Sequence, residues 1–393
     1  MPLLQSPRND MSTTNQLENP KVGEPRDNPI DITDIRRPAL SNSKALENDI
    51  INGLLQPQHK KTLPSLLLWD EEGQRLFNKI IFNPRYYPYR AETNLLAHFT
   101  VNIARTIVSS APDIIIEFGS PSTRKTIPLL FALDRLLTTS ITYYTLDVDP
   151  VQLEKSLLDL HKLTELRNIK VRGLVGTYDD GAHWLAQHSP QPPRTAILWF
   201  GSTICNFDKE EGGELLGSFL KASDADNFCG ALIAVDGCQD GERVNTAYNL
   251  PDGDTSNRIL HAVDAASQLL SKDCANASEV ENFFNRESWC FQGGCSREEG
   301  LQYDTCVAPL RDVSVTLRRQ RIYVEVGERV RVITSRKWTV DEIVEVSKRQ
   351  GLVISETWKD KGINYGLYWL QPNSEEHCDE ADIDAHRQGM RAR

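Results

Sequence analysis

The chain has 393 residues, 39% of them hydrophobic, with 7 Trp, 11 Tyr and 12 Phe, which excludes wholesale disorder and supplies a sizeable core. Its net charge is −11, of which residues 1–40 carry −1 and residues 372–393 carry −3, so the interior itself is acidic at −7. An acidic interior repels polyphosphate backbones, and nucleic acid is not expected as a partner. Eight cysteines contain no C-x-x-C pair, which argues for reduced, mostly buried thiols and against a zinc site. No metal is expected. The start, MPLLQSPRNDMSTTNQ, lacks an apolar signal core, and no uncharged run approaches the ~20 residues that span a bilayer. A soluble, cytoplasmic protein is the reading.

Residues 1–40 hold 6 of the 20 prolines among Asn, Asp, Ser and Thr, and read as a disordered arm. Residues 41–83 contain an amphipathic stretch from Leu46 to Leu55 and are expected to pack with a later insertion. Helical periodicity then places Leu95, Leu96, Phe99, Ile103 and Ile107 on one face. Strands are predicted at 113–118, 141–146, 169–175, 195–200 and 231–235, each a near-continuous apolar run suited to a sheet covered on both faces. Their alternation with helices implies a parallel sheet with right-handed crossovers, and ligands at the carboxyl ends of its strands.

After Asp236 the rhythm breaks. Residues 239–335 carry Gly and Asn clusters, a helical stretch at 256–270 and strand-like runs over 312–333. Thr339 with Glu342 then forms a capping-box start, a helix ends near Gly351, and strands follow at 352–358 and 364–370. The fold class is therefore α/β, a Rossmann-like sheet with an inserted α+β unit. The sheet is drawn from 84–238 and 336–371, the substrate-binding unit from 41–83 and 239–335, and 372–393 is read as a disordered tail.

The first central strand runs into Glu117-Phe118-Gly119-Ser120-Pro121-Ser122-Thr123-Arg124-Lys125-Thr126. A nucleoside-triphosphate loop would need Gly where Arg124 stands, because a side chain there crowds the ring of amides around the phosphates. A nicotinamide site would need G-x-G-x-x-G, which is absent. The pattern fits better as the first loop of an S-adenosylmethionine methyltransferase, with an acid and a Gly closing strand one. Asp147, 28 residues beyond that Gly, would then take the ribose hydroxyls. Plain solvation of a strand end is the competing account of Asp147 and Asp149.

Several segments, in order and spacing, carry a resemblance: KTLPSLLLWDEEGQRLF (61–77), YYPYRAE (86–92), EFGSPSTRKT (117–126), LDVD (146–149), GTYDDGAHWL (176–185), FGSTICNF (200–207), VDGCQD (235–240), AYN (247–249) and TSRKW (334–338). Across about residues 44–371 the chain resembles the histidine-specific methyltransferase family, which makes the Nα-trimethylated precursor of ergothioneine. It is more similar still to the fungal branch that N-methylates 4-dimethylallyltryptophan. The resemblance implies that Gly119, Lys125 and Asp147 contact S-adenosylmethionine, with Thr177 and Tyr178 beside its adenine. It implies that Tyr86, Asn206, Tyr248 and Ser335 hold the amino-acid head group. Trp69, Tyr303 and Ile333 would form the side-chain pocket.

Ordinary structural roles compete at several of these positions. Tyr86 and Tyr87 before Pro88 could form a packed turn, and Asn206, Thr334 and Ser335 could be helix caps. His98 and His261 read as helix-surface residues. Three departures from the family pattern bear on substrate and loop. The histidine-specific enzymes place Glu at the position of Ile333, and an apolar side chain leaves an imidazole N–H unpaired at about 1–3 kcal/mol. Trp69 stands where they have Tyr, and Cys205 replaces a Gly. A direct displacement needs only in-line alignment and a neutral amine, so no nucleophile–base signature is required. The expected activity is Nα-methylation of an aromatic amino acid such as a tryptophan derivative, in alkaloid or secondary metabolism, by a monomer or homodimer with no membrane partner. Histidine or another amine as substrate, and a non-catalytic cofactor-binding relative, are the alternatives.

Overall fold

The computed structural model describes residues 30–37, 42–119, 123–163, 165–188, 191–272 and 276–373. The chain opens with β1 (Ile32–Asp34), α1 (Asn42–Leu54), α2 (Glu71–Phe82) and α3 (Tyr87–Ser109). An alternating stretch follows: β2 (Ile114–Phe118), α4 (Ile127–Leu136), β3 (Ile141–Asp147), α5 (Pro150–Leu163) and β4 (Ile169–Val175). It continues through α6 (Tyr178–Ala186), β5 (Thr195–Trp199), α7 (Lys209–Ser223) and β6 (Phe228–Asp236). Then come α8 (Gly241–Tyr248), α9 (Asp254–Ser271) and α10 (Ala277–Phe283). Five strands succeed them: β7 (Trp289–Ser296), β8 (Gln302–Pro309), β9 (Val313–Leu317), β10 (Gln320–Val324) and β11 (Val330–Arg336). The chain closes with α11 (Val340–Arg349), β12 (Leu352–Lys359) and β13 (Tyr365–Pro372).

Eight strands form one sheet in the order β1-β4-β3-β2-β5-β6-β13-β12. Neighbours from β1 to β6 run parallel, whereas β13 is antiparallel to both β6 and β12. This is a Rossmann-like sheet, as the alternation implied. Every residue of β2, β5 and β6 is buried, because helices cover both faces. Along β2, Ile114, Ile116 and Phe118 enter the core on one face and Ile115 the core on the other. The Thr339–Glu342 capping box starts α11, and Gly351 follows its end at φ 69°. The six cysteines among the described residues are unbridged. Among the described residues no helix is long and apolar enough to cross a membrane.

A separate three-stranded antiparallel sheet, β11-β8-β7, and the hairpin β9–β10 follow the break after β6. Their core joins Ile50, Leu54 and Leu68 from the first helical region to Ile259 and Val263 of α9 and to Trp289, Val315 and Val332. The helical stretch expected at 256–270 is α9, extended by two residues at its start and one at its end.

The proposed arm over 1–40 is too long. Ile32–Asp34 pairs in parallel with Gly173–Val175 and adds an edge strand to the main sheet. Gly173 is closely covered there: a Cβ would lie 2.8 Å from Leu157 Cδ1 and 3.1 Å from Leu153 Cδ2 of α5, and 3.2 Å from Ile32 Cγ1. Arg37 then reaches the Asp180 carboxylate at 2.9 Å and ties the segment to α6. Residues 1–29, 38–41 and 374–393, which include the rest of the arm and nearly all of the proposed tail, lie outside the described residues.

The chain winds outward from β2 through β3 and β4, then returns to place β5 and β6 on the other side. That reversal opens a crevice beyond the carboxyl ends of β2 and its neighbours, and the loops that leave those strands line it.

Candidate active site

At the end of β2, Gly119 has φ 55° and donates its N–H to the Leu146 carbonyl at 2.9 Å. A Cβ at this position would sit 3.0 Å from the Tyr178 hydroxyl, so both conformation and space require glycine. The acid before it does not face the crevice. Glu117 is fully buried and accepts from the Thr126 hydroxyl at 3.0 Å and from the Tyr143 hydroxyl, anchoring the exit of the loop to its strand. Asp147 ends β3, with one carboxylate oxygen accepting the Asp149 N–H at 3.0 Å. Burial, partly opposed by backbone hydrogen bonds, pushes its carboxyl up to about 6.

Thr177 caps α6 reciprocally with Asp180, so its hydroxyl is already committed to the helix start. Tyr178 stacks on Phe118 with ring centroids 4.9 Å apart. Gly119, Asp147, Thr177 and Tyr178 line one cavity of about 260 Å³, together with Trp69 and Asn206. Its acceptor carboxylate, glycine-lined approach and apolar walls at Leu146, Val148 and Phe207 suit a nucleoside with ribose hydroxyls.

Lys125 does not line this cavity. Its ammonium pairs with Glu92 at 2.6 Å, in a neighbouring recess lined also by Tyr86, Gly201 and Tyr365. Glu92, 1% exposed, also accepts from the Gly201 N–H and the Tyr365 hydroxyl, each at 2.6 Å. Lys125 thus helps hold the loop after β5 in place.

A second cavity, about 70 Å³, brings together Tyr86, Asn206, Tyr248 and Ser335 with Trp69 and Ile333. Tyr86 immediately precedes α3 and makes no side-chain cap bond. Asn206 ends a short 3-10 turn, Thr203–Asn206, entered through Gly201 and Ser202 at φ 80° and 56°. Tyr248 closes α8, and Ser335 lies within β11, so neither Asn206 nor Ser335 starts a helix. Ile333 and Ser335, two residues apart on β11, both face the cavity. Trp69, Thr203 and Asn206 line both cavities, so the two are contiguous.

Tyr303 is not part of the pocket wall. It is fully buried one layer back, directly opposite Ser335 in the β8–β11 register, and stacks on Tyr248 at 5.3 Å. It supports the ring that lines the cavity. Cys205 likewise turns into the sheet core, away from both cavities, and burial pushes its thiol up to about 12. His261, expected on a helix surface, is 5% exposed and sits 2.7 Å from Asp70, the N-cap of α2. Packing of α9 against α2 buries it; His98 is exposed as expected.

Four site residues escaped the sequence reading. Lys337, 2% exposed, donates to Asp236 and to the Tyr248 hydroxyl, both at 2.8 Å. Asp236, at the end of β6, also accepts from the Tyr87 hydroxyl at 2.8 Å. Glu92 organises the β5 loop as described. Arg258 of α9 lines the second cavity between Trp69 and Phe77. The first three stood in segments that carried the resemblance, whereas Arg258 was one polar position in a helical run.

A doubly wound sheet with a glycine turn after β2 and an acid ending β3, opening onto a second, smaller recess, fits a Rossmann-like S-adenosylmethionine methyltransferase. Residues 46–372 match the family described as "Histidine-specific methyltransferase, SAM-dependent". N-methyltransferase imqF of Aspergillus flavus is 33% identical, over 88% of this chain and 89% of its own. Ergothioneine biosynthesis protein 1 of Neurospora crassa is 32% identical over 86% of this chain and 36% of its own length. The 4-dimethylallyltryptophan N-methyltransferase easF of Epichloe festucae var. lolii is 29% identical over 86% and 98%. The chain belongs to the histidine-specific, S-adenosylmethionine-dependent methyltransferase family. It is an S-adenosylmethionine-dependent N-methyltransferase.

Proposed function

We propose that the enzyme methylates the α-nitrogen of an aromatic amino acid, of the tryptophan-derivative class, in fungal secondary metabolism. The observation that carries this reading is the contiguity of the two cavities at Trp69, Thr203 and Asn206, with Tyr86, Tyr248 and Ser335 on the far side. Bound against Gly119 and Asp147, S-adenosylmethionine would supply a sulfonium methyl group. Tyr86, Asn206, Tyr248 and Ser335 would position the amine toward that methyl, leaving the lone pair free. Burial raises both phenols well out of the neutral range, so each serves as a neutral hydrogen-bonding group and not as a phenolate base. The amine would arrive neutral or lose its proton to solvent.

Aromatic preference rests on Trp69, Phe77 and Ile333 along the recess, with no carboxylate among its lining residues to receive an imidazole N–H. Relatives named for tryptophan-type substrates, easF and the L-tryptophan methyltransferase trpM of Psilocybe serbica, agree with it. A histidine substrate is the second reading, favoured by the family description and by the Neurospora relative. Competition between L-tryptophan and L-histidine for labelled methyl decides between them.

A further inference from the structure

Arg258 has no place in the chemistry described so far. Its side chain is 6% exposed, lines the second cavity, and holds its guanidinium 4.7 Å from the Trp69 ring centre and 4.5 Å from that of Phe77. Nε and Nη2 are buried with no hydrogen-bond partner among the described residues. Burial lowers its proton affinity to about 10, which still leaves the group cationic at neutral pH. The other charged side chains lining the cavity, Arg336 and Lys337, are cations too, and no acid lines it. Two aromatic faces partly offset the cost of burying the charge, but they satisfy neither free N–H. A helix interior at this position would accept Met or Leu without that cost.

We propose that Arg258 is the anion-recognition residue of the substrate cavity, receiving an oxyanion of the substrate, a carboxylate above all, in a two-pronged hydrogen bond. The inference rests on the methyltransferase reading above and deepens it by naming the residue that recognises the substrate's anionic oxygen. A guanidinium fork with two unused donors matches a carboxylate in geometry and charge, and rejects cationic side chains such as imidazolium. The carboxylate can be that of the α-carbon or one on the ring, and Arg258 serves both chemically.

Calorimetry on the protein loaded with S-adenosylhomocysteine separates these sources. One arm compares L-tryptophan with tryptamine, the other 4-carboxy-L-phenylalanine with L-phenylalanine. The carboxylate-bearing member of at least one pair should bind about tenfold tighter or more, which is roughly one hydrogen-bonded charge. Arg258→Met should abolish that preference while leaving S-adenosylhomocysteine affinity unchanged and the unfolding midpoint no lower than wild type. A purely structural arginine would lower the midpoint and leave the preference intact. Cofactor binding with no preference in either pair overturns the inference alone, and needs no variant to do so. Failure to bind the cofactor at all removes the methyltransferase reading and the inference with it.

Discussion

The Lys337 ammonium donates to the Tyr248 hydroxyl at 2.8 Å, so that phenol meets the substrate recess with its oxygen already accepting a bond. Tyr86 and Ser335 stand beside the same hydroxyl oxygen and act as donors to it. Lys337 is itself held by Asp236, which is fully buried. Removing the ammonium should therefore damage fold and site together. Lys337→Met leaves Asp236 charged with only neutral donors, and should cost about 3–5 kcal/mol in urea unfolding. Tyr248→Phe should spare stability to within about 1 kcal/mol and lower kcat/KM instead.

Cofactor affinity should depend on pH through Asp147. Its carboxyl is raised to about 6 by burial, so it is protonated below that value and can no longer accept from two hydroxyls. Titrations with S-adenosylhomocysteine should show affinity rising from pH 5 through pH 6 and levelling above about pH 7. Asp147→Asn should bind weakly and without that rise. A flat wild-type profile would remove Asp147 from the cofactor site.

Gly119→Ala places a Cβ at φ 55° and 3.0 Å from the Tyr178 hydroxyl. The backbone term alone costs about 1–2 kcal/mol of stability. Cofactor affinity should fall further than that, because Tyr178 must shift within the cavity wall. Thermal unfolding with and without S-adenosylhomocysteine measures both losses.

Glu92 accepts from Lys125, Tyr365 and the Gly201 N–H, so it sets the loop that carries Thr203 and Asn206. Glu92→Gln keeps the shape, removes the charge, and leaves the Lys125 ammonium half-buried without a counter-ion. The expected result is a loss of about 2–4 kcal/mol in stability and a fall in kcat larger than the change in cofactor affinity. Unchanged kcat in a folded variant would show that the loop does not depend on this anchor.

The sheet was legible because β2, β5 and β6 must be apolar on both faces, and such runs stand out against the helices between them. Strand β1 was not, since Ile32–Asp34 is three residues long and largely exposed, and becomes a strand by pairing with Gly173–Val175 far along the chain. The cavity-lining set Gly119, Asp147, Tyr86, Asn206, Tyr248 and Ser335 was legible through motif order. Burial of a charge was not. Asp236 and Lys337 meet across 101 residues, and His261 meets Asp70 across 191. In each case a side chain that reads as solvated in sequence is enclosed by an element far away along the chain. Tyr303 shows the converse limit: the register put it opposite Ser335, but stacking on Tyr248 takes it one layer behind the wall.

Methyl transfer from labelled S-adenosylmethionine to L-tryptophan, 4-dimethylallyl-L-tryptophan and L-histidine, with the modified nitrogen located by mass spectrometry, tests the central claim most directly. The account predicts methyl on the α-nitrogen, with kcat/KM for an aromatic substrate at least about tenfold above histidine, a difference of roughly 1.4 kcal/mol. Preference for histidine, or methyl on any other nitrogen, would contradict it.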